Sequence, residues 1–173
     1  MRTRTIASAI ACSAIATTSA SAHVTLSPSS ASADSMIEAR FDVGHGCDSA
    51  ATVALRVKIP EGVFAVKPQM KAGWRIEIKR RELTQPSKSE RGRAPTTVVD
   101  EVEWIGGPLP NDLYDEFTLR MWLPDQAGKT LYFPVVQQCE KGETRWIEIP
   151  AEGKEKKDLR EPAPALLLLP NVR

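Results

Sequence analysis

The chain has 173 residues, with 23 Lys and Arg against 22 Asp and Glu, and 42% of it is hydrophobic. That length suits one domain, and the balanced composition excludes disordered, collagen-like and polytopic membrane chains. Near-neutral charge, with no basic stripe on any periodic element, excludes an electrostatic footprint for nucleic acid.

At the N-terminus, Arg2 and Arg4 precede a short apolar stretch, Ile6 to Ala16, and the small-x-small triplet Ala20-Ser21-Ala22. This order is that of a secretory signal peptide spanning residues 1–22; the apolar run is too short and too rich in Ala and Ser to cross a bilayer. The expected product is exported, periplasmic or extracellular, and begins at His23. Cleavage removes 22 of 173 residues and leaves 151, with 21 basic against 22 acidic side chains. It also removes Cys12, so Cys47 and Cys139 remain. In a disulfide-permissive compartment two cysteines allow one intramolecular pairing, and a Cys47–Cys139 bond is expected. The functional alternative is a two-thiol site for Cu(I).

Cleavage would make His23 the first residue. A free N-terminal histidine offers its α-amine and its ring Nδ1 to one metal ion, and metal displaces protons from both. Two nitrogens held in this way suit Cu(II), which stands highest in the divalent affinity order. The other N-terminal copper motif needs histidine at the third position, where the mature chain has Thr25. Only His23 and His45 occur in the sequence.

The body reads as strands. Segments at 23–27 and 36–43 come first, and Val53, Leu55, Val57 and Ile59 then alternate with polar or small residues. Trp74, Ile76 and Ile78 alternate with Arg75, Glu77 and Lys79, and a strand follows at 97–105. Phe117, Leu119, Met121 and Leu123 repeat the pattern, Leu131, Phe133 and Val135 continue it, and 144–149 ends the series. Pro60-Glu61-Gly62, Gly106-Gly107-Pro108 and Asp125 to Gly128 are the turns. No segment holds a 3.6-residue apolar period, so the expected fold is all-β, an antiparallel β-sandwich. Arg80 to Pro95, charged and Pro/Ser-containing, reads as a long exposed loop. Ala151 to Arg173 reads as a flexible tail, because the apolar run Ala165–Leu169 cannot cross a membrane, which takes about 20 such residues.

Four segments carry a family resemblance: HVTLSPSSASADS from His23, GHGCDSAATVALRVKIPEGVFAVKPQMKAGWRIEI from Gly44, EWIGGPLPNDLYDEFTLRMWLP from Glu103, and YFPVVQQCEKGETRWIEIP from Tyr132. In order and nearly without gaps over residues 23–150, they resemble the YcnI-like domain family. The resemblance implies an exported β-sandwich of cupredoxin- or immunoglobulin-like type that holds Cu(II) by a single-histidine brace, with a Glu carboxylate and a nearby Trp. It further implies copper handling beside copper-transport or copper-resistance proteins of the same compartment. Carried over by position, His23 is the brace. Glu116, in Asp115-Glu116-Phe117, is the carboxylate expected, with parity opposite to Phe117, Leu119 and Met121. Trp146 is the aromatic, expected to point outward because Ile147 and Ile149 take the apolar parity. Glu38 and Glu148 are the fallback carboxylates. Family members with a C-terminal membrane helix exist, and the tail here departs from them.

His45, in Gly44-His45-Gly46-Cys47, reads as a turn residue with a second, weaker metal contact as its functional alternative. Met36, Met70 and Met121 do not cluster and read as packing residues. The function expected is therefore a Cu(II)-binding protein of metallochaperone type, without turnover. Two alternatives stand beside it: a His-brace copper oxygenase, whose second ring only His45 could supply, and a sandwich interaction module that binds no metal. Nucleophilic triads, phosphate loops and zinc-finger spacings are absent from the sequence.

Overall fold

The computed structural model describes residues 23–83, 96–151, 153 and 158–171. The expected signal peptide and residues 84–95 of the expected loop lie outside them. In chain order the strands are β1 (Thr25–Ser27), β2 (Ser30–Ser32), β3 (Met36–Val43) and β4 (Thr52–Lys58). Next come β5 (Phe64–Pro68), β6 (Trp74–Glu82), β7 (Thr97–Leu109) and β8 (Asp115–Trp122). The last four are β9 (Thr130–Tyr132), β10 (Val135–Cys139), β11 (Glu143–Trp146) and β12 (Ala165–Leu169). Among the described residues no helix is long and apolar enough to cross a membrane.

Period-two alternation sets which face each strand buries. β3 turns Ala39, Phe41 and Val43 inward, and β8 turns Phe117, Leu119 and Met121 inward. One sheet has the order β1-β3-β8-β5, and a second has the order β11-β10-β4-β7-β6. Their inner faces meet where Trp104 of β7 and Trp74 of β6 stand edge-on to Phe117 of β8, with ring centroids 5.5 and 5.0 Å apart. Phe41 packs against Phe133 at 5.7 Å. Trp104, Phe41, Phe117 and Phe133 are fully buried, and burial of a large apolar side chain contributes about 1.5–3 kcal/mol. The expected sandwich is the fold found.

A third, three-stranded sheet has the order β2-β12-β9. Strand pairing is antiparallel throughout the sheets except between β12 and β2, which run parallel. On the solvent face of the five-stranded sheet, Lys79 and Arg56 lie 2.7 and 3.7 Å from Glu101, and Arg56 lies 2.9 Å from Glu103. Hydrogen bonding to Glu103 raises the Arg56 pKa, and hydrogen bonding to Glu101 raises that of Lys79.

Three corrections of the sequence reading bear on the sandwich and its third sheet, and the expected turn at Gly106-Gly107-Pro108 lies within β7. Arg80 to Glu82 belong to β6, paired with Val99 to Thr97, not to the loop. On an edge strand charged side chains can stand outward while the backbone stays paired, so the apolar alternation stops before the strand does. Leu131, Phe133 and Val135 do not lie on one strand. Pro134 lacks an N–H, and the chain passes there from β9 in the third sheet to β10 in the second. The third correction concerns the expected flexible tail, in which residues 165–169 are β12. Its Leu166 and Leu168 are wholly buried in the same core as Leu131, while Leu167 and Leu169 are exposed. The run of leucines concealed a period-two pattern because both faces carry the same residue.

A buried strand and a loose tail give different mutational results. Leu168→Ala is expected to cost about 2–5 kcal/mol in urea unfolding, and Leu167→Ala no more than about 0.5 kcal/mol. Equal, negligible effects would show that β12 does not contribute to the core.

Candidate functional site

β1 is one edge of the four-stranded sheet and β11 one edge of the five-stranded sheet. His23 leads into β1, Trp146 ends β11, and the two meet with ring centroids 5.4 Å apart at an interplanar angle of 77°. Trp146 is 5% exposed, so it forms a wall of the interior and not the outward side chain expected from parity. The register explains the reversal: Trp146 pairs with Val135, which is fully buried, and directly opposed residues share a face. β11 stops at Trp146, where the Ile147 N–H turns back to the Arg145 carbonyl at 2.9 Å, leaving Ile147 and Ile149 exposed.

The indole N–H of Trp146 donates to Gln137 Oε1 at 3.0 Å. Gln137, on β10, is 1% exposed, and its Nε2 donates to the His45 carbonyl at 2.6 Å and to Thr52 Oγ1 at 2.8 Å. Its one acceptor and both donor directions are thereby used, and the partners fix which end of the amide is oxygen. This buried amide joins Trp146 to the loop that carries His45. The His45 ring lies 6.5 Å from the Trp146 ring at 78°, so both histidines stand edge-on to one indole.

The His45 loop is tightly held. Cys47 is bonded to Cys139 at the end of β10, with Cα atoms 5.9 Å apart and a separation of 92 positions in sequence. Closing a loop of that length stabilises by about 4–5 kcal/mol in the chain-entropy model. The Gly46 N–H donates to Asn111 Oδ1 at 3.1 Å. A Cβ on Gly46 would stand 1.7 Å from the Ala50 carbonyl oxygen, so only glycine lets this loop close.

On the other side of Trp146, the chain beyond β11 returns to the site. His23 Nε2 lies 3.2 Å from the Arg160 carbonyl oxygen. A carbonyl only accepts, so Nε2 is the donor in this contact, and Nδ1 is the ring nitrogen nearer the backbone. Glu148 secures this segment. Its Oε2 accepts from the Glu161 N–H at 2.6 Å, its own N–H donates to the Glu161 carbonyl, and its carbonyl accepts from Ala163.

The remaining sequence candidates lie as follows. Glu116 sits on β8 opposite Asp42, which itself lies opposite Thr25, so Glu116 is two strands in from β1. Its carboxylate is 3.9 Å from Arg40 Nε, and it lines a groove of about 550 Å³ with Lys71 and Tyr114. Glu38 pairs with Arg120 at 2.7 Å. Glu148 is the candidate carboxylate brought beside the His23–Trp146 contact, through Glu161. Met121 is buried in the core, and Met36 and Met70 are exposed. Among the described residues no three His, Cys, Asp or Glu side chains gather as a metal-binding set.

Gln137, the Arg160 carbonyl and the Glu148 clamp were not foreseen. Gln137 did leave a signal, since it shares parity with the buried Val135 and Cys139. A lone amide on a core-facing position requires buried partners.

These features define an immunoglobulin-like β-sandwich domain with a histidine–tryptophan cluster at the seam between its two main sheets. The chain belongs to the family described as a domain of unknown function, DUF1775, whose model matches residues 23–168; this is the YcnI-like family. The matched span includes β12 up to Leu168. Among solved structures, the chain is similar to an uncharacterized protein from Nocardia farcinica with an immunoglobulin-like fold. The TM-score is 0.62 at 22% identity, over 85% of this chain and 98% of that one. No curated protein is significantly similar to the chain.

Replacing Gln137 by Leu would leave the His45 carbonyl and the Trp146 indole N–H buried without their partner. Each such group costs about 1–3 kcal/mol, so Gln137→Leu is expected to lower the unfolding midpoint markedly and to alter the tryptophan fluorescence. Wild-type stability and emission in this variant would show that the relay holds nothing in place.

Proposed function

We propose that the mature protein begins at His23 and binds one Cu(II) in the exported compartment, acting as a metallochaperone without turnover. The observation that carries this reading is the hydrogen bond from His23 Nε2 to the Arg160 carbonyl. Histidines that ligate metal characteristically donate their other ring N–H to a carbonyl or carboxylate, which fixes tautomer and orientation. With Nε2 used in that bond, Nδ1, the ring nitrogen nearer the backbone, is the one that would close a chelate with an N-terminal amine.

The donor chemistry fits copper. An N-terminal amine would add a backbone donor to the His23 ring at this seam. Imidazole and amine nitrogens suit Cu(II). When bound, the ion would be held by His23 beside Trp146, whose indole limits water access on one side. The family match beginning at residue 23 supports a mature domain that starts there, and the Cys47–Cys139 bond is consistent with export. Copper-transport or copper-resistance proteins of the same compartment would deliver or receive the ion.

The second reading is a His-brace oxygenase, favoured by the second histidine ring against Trp146. Oxygen-dependent turnover by the copper form would decide for it.

Cu(II) titration of protein with a native His23 N-terminus is expected to give one tight equivalent with an electron paramagnetic resonance signal of bound nitrogen. His23→Ala, or one extra residue before His23, should abolish it. Stoichiometric binding that survives the extension would refute the brace, and absence of any tight binding would favour an interaction module that takes no metal.

A further inference from the structure

We infer that the margin of the sandwich opposite the His23–Trp146 seam is a docking groove for an extended, acidic segment of a partner protein, which adds to the four-stranded sheet as a strand beside β5.

The strand count comes first. The two main sheets meet margin to margin at β1 and β11, through the His23–Trp146 contact. Counted from there, one sheet has four strands and ends at β5, whereas the other has five and ends at β6. β5 lies against β7, so among the described residues no strand of the first sheet is left to cover β6. The uncovered place is an open groove of about 710 Å³.

The lining shows what would fill it. All five residues of β5, Phe64 to Pro68, border the groove. Consecutive residues point to opposite faces of a sheet, so a border of both parities is the backbone edge of the strand. β6 borders the groove with Ile76, Ile78 and Arg80, at a spacing of two, which is one face. It is the inner face, since Trp74 at the same parity stands edge-on to Phe117. Ile76 packs on the core and Ile78 is 41% exposed. A backbone edge beside an uncovered apolar face is what an added strand uses: the edge gives main-chain hydrogen bonds, and the face gives sites for alternate side chains. An acyl chain would use the face and leave the edge unpaired.

Charge selects the occupant. The charged residues that line the groove are Lys67 and Arg80, both cationic, and neither forms an ion pair among the described residues. A second copy docking through the same edge would bring like charges together, whereas an acidic segment meets both cations. The added strand therefore carries apolar residues at two alternate positions, against Ile76 and Ile78, and a carboxylate at the next, against Arg80. Ala65, with φ of +52°, lies where the pairing of β5 with β8 shifts register. Such a bulge on an edge discourages indiscriminate pairing and leaves selectivity to the side chains.

The test uses the mature chain and two end-capped, fluorescein-labelled pentapeptides read by fluorescence polarisation, Val-Thr-Val-Thr-Glu and its reverse, so that both strand directions are covered. One of them should saturate, and its version with Lys in place of Glu should bind about 2- to 5-fold more weakly, the scale of a cross-strand charge pair. Arg80→Glu should reverse that preference. Ile78→Asp, at a half-exposed position, should weaken binding about 10-fold or more, and circular dichroism of each variant checks the fold. N-methylation of the second and fourth probe amides, or of the first, third and fifth, should abolish binding in one set and spare the other, because an added strand turns one edge to β5. Failure of both probes to saturate overturns the inference, as does a charge preference that Arg80→Glu does not move or equal behaviour of the two methylated sets. A dimer in solution that Ile78→Asp dissociates overturns it in favour of a second copy. None of these readings involves copper, so the proposed function stands or falls separately.

Discussion

The side-chain amide of Gln137 lies in the core, and the arrangement of the seam follows from what a buried amide requires. An unpaired polar group in that environment costs more than a paired one gains, so every partner of Gln137 must be in register at once. The indole of Trp146 has to turn inward, the His45 carbonyl has to reach β10, and Thr52 has to lie across from it. The Cys47–Cys139 bond lies two residues from both His45 and Gln137 in sequence, and it keeps the loop within reach of the amide. Hydrogen bonds and disulfide thus impose the same constraint from two directions. This consistency gives a polar core group one arrangement rather than several.

That constraint fixes one wall of the cluster, and the far end of the chain supplies the other. His23 and Arg160 are 137 positions apart, yet the ring of one hydrogen-bonds the carbonyl of the other. Glu148 secures the segment behind this contact by holding Glu161 with its side chain and its backbone N–H, and Ala163 with its carbonyl. Beyond that clamp, β12 buries Leu166 and Leu168 beside β9 and β2. The site is therefore assembled from the first described residue, a central loop, an edge strand and the C-terminal segment. A ligand bound there would stabilise the closed chain as a whole, because a preformed site does not survive in the unfolded state.

The sandwich was legible because its strands have one buried and one solvated face, and Phe117, Leu119 and Met121 on β8 alternate without interruption. The cysteine pair was legible by counting once Cys12 was assigned to a leader. The C-terminal segment was not, since Ala165–Leu169 carries leucine on both faces and period-two contrast vanishes when the exposed positions are also apolar. Trp146 misled for a related reason. Parity was taken from Ile147 and Ile149, which follow the end of β11, whereas the register of Trp146 is set upstream by Val135. His23 could be singled out from its place after the triplet Ala20-Ser21-Ala22. What holds its ring is a main-chain carbonyl, a group that every residue has and that no residue type advertises.

The same carbonyl separates two properties of His23 that the proposed function joins. The ring is oriented by Arg160 and by Trp146, both contacts of the side chain, and neither depends on the state of the backbone nitrogen. The chelate does depend on it. While His23 is joined to Ala22, its nitrogen is an amide with no basic lone pair to offer, whereas a freed amine is a strong donor for copper. On the proposed reading the folded precursor would already hold the imidazole in its binding orientation and yet lack the chelate. Cutting one peptide bond then turns a structural histidine into a ligand without repacking any side chain. On that reading, copper affinity would be conditional on cleavage before His23, because the chelate needs the freed amine and the ring alone does not supply it.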